Sequence, residues 1–296
     1  MTDQEQRLRI AVQKKGQLAD KSLQLFEQAG LKITRGANDL LYRAENFPAD
    51  FLRVRDDDIP QFVASGACAL GIVGENVLQE DWPEIEAGAV DVSRPLGFGH
   101  CTLKIAVPNE MDYVSPADLN GVSIATSYPV LLKNYLAQNG VSAGVVEMSG
   151  AVEVAPRLKV ADVVCDLVST GQTLAANGLR AVETVMKSEA VLIRHTGRKT
   201  LYPEDLLARL LRRVDGVLAT RETKYIMMNA PESALDDIIE ILPGAGAPTV
   251  TPLAGKPGQV AIHAVCQESV FWETLERLKA AGSSAILVLP IEKMML

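Results

Sequence analysis

The sequence is short of the residues that staple folds together. Its 296 residues include four cysteines and three histidines. Cys68, Cys101, Cys165 and Cys266 stand far apart with no C-x-x-C pair, which argues against close-spaced structural zinc and reads as buried reduced thiols. His100, His195 and His263 are isolated, with no metal or triad spacing. No apolar run approaches the roughly 18 residues needed to cross a bilayer. Residues 1–7 (MTDQEQR) lack the basic start and apolar core of a signal peptide. A cytoplasmic protein with no membrane partner is expected. Basic residues are outnumbered, 29 against 37 acidic, for a formal charge of −8. That balance excludes a nucleic-acid coat, whose affinity comes from neutralising phosphates.

What is present is a globular composition, 48% hydrophobic and 22% charged. At about 150 residues per domain the length predicts two or three domains. The first hundred residues alternate apolar runs with helical spacing: strands at 8–12, 51–54 and 69–73, a helix ending at Gly30, and a helix opening on Asp56, Asp57 and Asp58. Strand, helix, strand in that order predicts parallel pairing. Strands at 103–107, 122–125, 144–148 and 163–168 follow, with helices at 129–139, from about 152, and near 172–177. A strand at 190–194 then returns. Two α/β lobes joined by a chain that crosses and returns predict a cleft, and ligands of such sheets sit beyond the carboxyl ends of strands. After an amphipathic helix at 204–214, residues 223–296 read as βαββαβ, the split-βαβ plan. The expected domains are 1–101 with 189–222, 102–188, and 223–296.

The chemistry concentrates in DLVSTGQT at 166–173, directly after a buried strand and opening a helix. Ser169, Thr170 and Thr173 supply hydroxyls, Gly171 lets backbone approach, and the helix start adds unpaired N–H groups, which together make a phosphate cradle. Asp166 at the strand's end is placed to accept from ribose hydroxyls or to hold a metal through water. By spacing alone, a plain capped helix start fits as well.

The wider stretch EVAPRLKVADVVCDLVSTGQTL, residues 153–174, resembles the signature of the ATP phosphoribosyltransferase family. Lys159 departs from it, since the family usually has glycine there; the departure bears on the local turn rather than on the phosphate loop. AVQKKGQL (11–18), LRVRDDDIP (52–60), LGIVGEN (70–76), IATSYP (124–129) and ILVLPIEK (286–293) are similar to the family too, so the resemblance runs nearly end to end. It implies a two-lobed, periplasmic-binding-protein-like catalytic part and a C-terminal ferredoxin-like regulatory domain. It also implies a reaction. The adenine of ATP attacks the anomeric carbon of phosphoribosyl pyrophosphate, pyrophosphate leaves, and histidine biosynthesis begins. Positioning and charge stabilisation carry such a step, and the attacking nitrogen needs no strong base. By the same resemblance Asp166 and Glu153 are catalytic, Ser169, Thr170, Gly171, Gln172 and Thr173 hold the 5-phosphate, and Mg2+ bridges the pyrophosphate with no protein ligand assigned. Histidine is the implied inhibitor, and dimers assembling into hexamers are the implied state.

For ATP or pyrophosphate the candidates are Lys14 and Gly16 at a strand-to-helix turn, Arg53, Glu75 and Tyr128. Each has a plainer reading. Lys14 and Lys15 suit a solvated pair. Arg53 and Arg55, expected on one face of an extended segment, suit an ion pair with Asp56–Asp58. Tyr128 suits a base stack or the core. Two other functions fit two lobes with a tail. One is a small-anion binding module; the other is a prephenate-dehydratase-like enzyme, whose Thr-Arg-Phe motif is missing, the nearest text being Thr220-Arg221-Glu222.

Overall fold

The computed structural model describes residues 7–36, 39–168, 171–197, 202–221, 223–242, 247–267 and 271–294. The chain packs as two compact units, residues 1–24 with 31–207, and residues 25–30 with 208–296. Among the described residues no helix is long and apolar enough to cross a membrane.

The first unit contains two sheets. Its opening elements are β1 (Leu8–Gln13), α1 (Ala19–Gln28), β2 (Ile33–Arg35), β3 (Leu41–Ala44) and β4 (Ala49–Val54). Then come α2 (Ile59–Ala64), β5 (Leu70–Gly74), α3 (Glu75–Asp81) and β6 (Val90–Pro95). With a later strand, these form a sheet ordered β2-β3-β4-β1-β5-β12-β6. β1 pairs parallel with both β4 and β5, as the strand–helix–strand order predicts. α2 and α3 cover one face, where Ile59, Val63, Val77 and Leu78 bury against Ala11, Val73, Val191 and Ile193.

The chain then builds a second sheet from β7 (Cys101–Pro108), β8 (Ser123–Thr126), α4 (Pro129–Gln138), β9 (Gly144–Glu147), β10 (Val163–Val168), α5 (Gln172–Ala176) and β11 (Leu179–Ser188). Its order is β11-β7-β10-β8-β9. β12 (Ala190–His195) returns to the first sheet, antiparallel to β5. The two passages, 95 to 101 and 188 to 190, pair with each other: Leu96 N–H donates to Ala190 O at 2.9 Å and Ala190 N–H to Phe98 O at 2.8 Å.

Register shows which edges these passages join. Ala190 lies opposite Gly74 and Val191 opposite Pro95, so both leave the edge of the first sheet where β1, β4 and β5 end. Cys101 lies opposite Ser188 and Thr102 opposite Val168, so both reach the edge of the second sheet where β8 and β10 end. The carboxyl ends of the parallel strands in both lobes therefore turn toward the same cleft.

One face of the second sheet packs on α4 through Leu131, Leu132 and Leu136. The other buries Val152, Ala155 and Leu174 against Ala106, Ala125 and Val164. Residues 152–154 form a single 3-10 turn rather than the helix expected there. Pro156 has no N–H to continue an α-helix, and Ala151 and Lys159 sit at φ +51° and +56°. The helix expected from the acidic triplet also starts later, at Ile59, leaving Asp56–Asp58 in a turn.

The second unit carries α6 (Glu204–Leu218) from Ala208 onward, then β13 (Thr223–Pro231), α7 (Leu235–Ile241), β14 (Thr249–Pro252), β15 (Gln259–Gln267), α8 (Phe271–Ala280) and β16 (Ser284–Pro290). This is βαββαβ with an antiparallel sheet ordered β14-β15-β13-β16. Ile226, Met228, Ile262 and Ala264 pack with Ile238 and Leu278 of the helices. By alternation Tyr225, Met227 and His263 take the opposite face, where Leu287 and Leu289 are 49% and 46% exposed. The Tyr225 hydroxyl meets His263 Nδ1 at 2.8 Å.

Lys159 gives the first test. Its positive φ is one that glycine takes without strain, and its N–H still donates to Pro156 O at 3.1 Å, so the turn forms at the cost of left-handed strain. Lys159→Gly should stabilise the first unit by about 0.5–1 kcal/mol, since the left-handed penalty slightly exceeds the entropy that glycine adds to the unfolded chain. Denaturant midpoints of the two proteins check it; a less stable glycine variant would contradict the strain.

Candidate active site

β10 sits inside the second sheet, between β7 and β8, and carries Asp166 near its carboxyl end. Alternation puts Asp166 on the face of Val164, opposite the face of Cys165. That face also holds the buried Val152, Ala155 and Leu174, so the turn bearing Glu153 and the start of α5 pack beside Asp166. Asp166 is half-buried, and one of its oxygens accepts the Leu167 N–H at 2.8 Å. Burial raises its pKa above the usual 3.8, the Leu167 N–H opposes this, and the Glu153 carboxylate adds to the rise. Two carboxylates thus share one half-dry corner.

Gly171 follows at φ +75°, and its carbonyl accepts from Ala175 N–H at 3.0 Å to open α5. That helix has only five residues, so it supplies local N–H groups rather than a strong dipole. Gln172 and Thr173 are exposed on its first turn. Ser169 and Thr170, the other two cradle residues, lie outside the described residues.

The cationic candidates stand on the first lobe. Lys14 follows β1, half-buried, and its N–H donates to Val54 O at 2.7 Å. Arg53 is tied from three sides. Its Nη2 donates to Lys14 O at 2.6 Å, its Nη1 donates to the Tyr42 hydroxyl at 2.6 Å, and its guanidinium lies 4.6 Å from the Tyr42 ring centre. The ion pair expected with Asp56–Asp58 is replaced by one with Asp39 at 3.8 Å. Arg55 is exposed in the turn after β4 and so does not continue the strand alternation with Arg53. Gly16 has φ +118°, and a Cβ there would come within 2.8 Å of the Gln13 amide, which accepts Leu18 N–H at 3.1 Å. Glu75 is the half-buried first residue of α3, just past the end of β5.

Tyr128 lies where the lobes meet. It precedes α4 on the second lobe, and its hydroxyl accepts from Asn76 Nδ2 of the first lobe at 3.1 Å. Burial raises the pKa of its phenol, and the charges of Asp56 and Asp166, one from each lobe, push the same way. Sequence reasoning passed over Asn76, which is 3% exposed. Its backbone N–H donates to Ser188 Oγ at 3.0 Å, and the Ser188 hydroxyl donates back to Asn76 Oδ1 at 2.8 Å. A buried polar side chain must find such partners, and the asparagine after Gly-Glu in GEN was the signal that could have drawn attention to it.

These features define a two-lobed α/β protein whose parallel strands in both lobes end toward one cleft. Asp166 and the Gly171 turn stand at the strand ends of one lobe, and Lys14 and Arg53 at those of the other. A family profile for ATP phosphoribosyltransferase matches residues 55–216, and one for the HisG C-terminal domain matches residues 220–293. An ATP phosphoribosyltransferase from Maricaulis maris (strain MCS10) is 54% identical over 290 residues, 98% of this chain and 99% of that protein. The solved ATP phosphoribosyl transferase (HisG:HisZ) complex from Thermotoga maritima shares the fold, with TM-score 0.60 and 21% identity over 71% of this chain and 97% of that one. The chain belongs to the ATP phosphoribosyltransferase family. Its reaction is the transfer of a phosphoribosyl group from phosphoribosyl pyrophosphate to ATP, the first step of histidine biosynthesis.

The carboxylates clustered about the end of α3 give a pH test. Burial first, then the charges of Asp57, Glu84, Glu80 and Asp58, raise Asp81 from the usual 3.8 to about 6. The folded protein holds this proton more tightly than the unfolded chain, so the raised pKa costs stability. The cost is complete above about pH 6 and vanishes as pH falls toward 4. Asp81→Asn should therefore stabilise by roughly 1 kcal/mol at pH 7.5, allowing for solvent screening, with the gain shrinking at pH 4.5. Denaturant midpoints at the two pH values check it; an equal gain at both would rule out Asp81 ionisation as its source.

Proposed function

We propose that phosphoribosyl pyrophosphate binds on the second lobe. Gly171, Gln172 and Thr173, with Ser169 and Thr170, hold its 5-phosphate, and Asp166 and Glu153 stand at the ribose. The observation that carries this reading is the common burial of Val152, Ala155, Val164 and Leu174 on one sheet face, which sets the turn of Glu153 and the start of α5 beside Asp166. ATP enters from the first lobe. Lys14 and the Gly16 turn meet its phosphates or the leaving pyrophosphate, Arg53 acts by holding the Lys14 carbonyl, Glu75 accepts from a hydroxyl, and Tyr128 stacks on the base.

The chemistry asks mainly for alignment. The adenine nitrogen already carries its lone pair, so the protein must bring it onto the anomeric carbon in line with the departing pyrophosphate. Asp166, a half-buried carboxylate, stabilises positive charge building on the ribose far better than it would in water. Mg2+ usually keeps waters and binds through one or two carboxylates plus substrate phosphates. Asp166 and Glu153 fit that demand as oxygen donors, since a cation beside them would offset both the burial that raises the Asp166 pKa and the Glu153 charge that adds to the rise. The metal would neutralise pyrophosphate as a leaving group.

The domain reading assigns 1–101 with 189–222 to one catalytic lobe, 102–188 to the other, and 223–296 to regulation by histidine. Support for the last comes from the match to the HisG C-terminal domain and from a sheet with one helix-free face, which suits pairing with further copies of the chain in dimers and hexamers. Histidine must then favour one arrangement of the assembly over another, since equal affinity shifts nothing. Both substrates are intracellular metabolites, which supports a cytoplasmic location.

Asp166→Ala and Thr173→Ala should each remove about 2–4 kcal/mol of transition-state stabilisation while circular dichroism stays native. Near-wild-type kinetics in both folded variants would take the loop out of the site. Histidine should inhibit the full chain and leave an active chain ending at residue 222 untouched. Equal inhibition of both would move the histidine site into the catalytic lobes.

A further inference from the structure

α4 begins without the means to satisfy itself. The residue before it, Tyr128, makes no side-chain cap, and Pro129 has no N–H to offer. The first intrahelical bond is Leu132 N–H to Tyr128 O, at 3.0 Å. The Val130 and Leu131 N–H groups are left over, as in the first turn of any helix. Both are taken by Glu80 of the other lobe. Val130 N–H donates to Glu80 Oε1 at 2.7 Å and Leu131 N–H to Glu80 Oε2 at 3.0 Å. Glu80 is four residues after Asn76 on α3, so the two share one helix face. That face grips residues 128, 130 and 131 of the second lobe.

This arrangement differs from an ordinary N-cap, which belongs to its own chain segment and moves with its helix. Here the cap is a carboxylate on the facing lobe, and it bonds through both oxygens. Two N–H groups bound at two separate oxygens resist rotation as well as separation. β8, which runs into Tyr128 and α4, pairs with β10 through Thr126 and Cys165, one residue before Asp166. The position of α4's first turn against α3 thus sets where the second lobe's strand ends stand against the first lobe.

We propose that Glu80 is a positioning residue for phosphoribosyl transfer, holding the two lobes in the register that brings the adenine nitrogen to the anomeric carbon. The proposal rests on the reading above that the two substrates occupy opposite lobes. A residue of this kind leaves each substrate's own binding alone and acts on the step that needs both.

The test uses the full chain with Glu80→Ala and, as the milder change, Glu80→Gln, which keeps one carbonyl acceptor. Hydrogen exchange of a peptide covering residues 129–132 should accelerate at least about tenfold in Glu80→Ala, with the β10 peptide unchanged. kcat should fall about 10- to 100-fold, while phosphoribosyl pyrophosphate measured alone binds within about threefold of wild type. Glu80→Gln should recover part of both losses. Faster exchange with unchanged kcat would make the cap purely structural and overturn the proposal. Weaker phosphoribosyl pyrophosphate binding with kcat intact would overturn it too, by assigning Glu80 to the stability of the second lobe. If kcat falls but exchange at 129–132 does not change, Glu80 acts by some route other than this cap and the proposal fails. An unmutated protein whose substrates both prove to bind one lobe would defeat the site reading instead, and the exchange arm would still show whether Glu80 caps α4.

Discussion

Both passages of the chain between the two sheets join the edges at which the parallel strands end. This topological constraint decides which strand ends face one another. The paired passages at Leu96, Phe98 and Ala190 keep the two edges facing. Loops after β1, β4 and β5 are then committed to one wall of the cleft, and loops after β8 and β10 to the other. A fold wound the opposite way would send Lys14 and Asp166 to distant ends of the molecule.

Within the second lobe a purely apolar contact organises a polar corner. Val152, Ala155 and Leu174 are small or medium side chains buried on one sheet face, and their burial holds Glu153 and Gly171 beside Asp166. The backbone around Glu153 is left-handed at Ala151 and Lys159, conformations that cost free energy in non-glycine residues. Packing overrides that cost. The result is a half-buried Asp166 whose pKa burial raises, with the Glu153 charge pushing the same way.

The first lobe shows how local reading and tertiary setting part company. Alternation in a strand suggested that Arg53 and Arg55 share a face, but β4 ends at Val54 and the chain turns, so only Arg53 is set by the sheet. Its guanidinium is spent on Tyr42 and the Lys14 carbonyl, partners on β3 and just after β1 that alternation along β4 does not indicate. β11 escaped notice because two bulges break its alternation against β7. β2, β3 and β6 are edge or near-edge strands, short or half-exposed, with too little apolar patterning to stand out. α3 is seven residues long, under the length at which helical periodicity shows.

The parallel strands of the first lobe, the βαββαβ tail and the family itself were legible from residues alone. Their strands, helices and motifs are short segments, in which spacing, glycine placement and apolar rhythm act directly on the backbone. Glu80 capping a helix 50 residues away, Asn76 bonded to Ser188 across 112 residues, and Arg53 stacked on Tyr42 were decided by the tertiary structure. Those contacts carry no local pattern. They exist because burial obliges each polar group to find a partner, and the fold determines which partner is within reach.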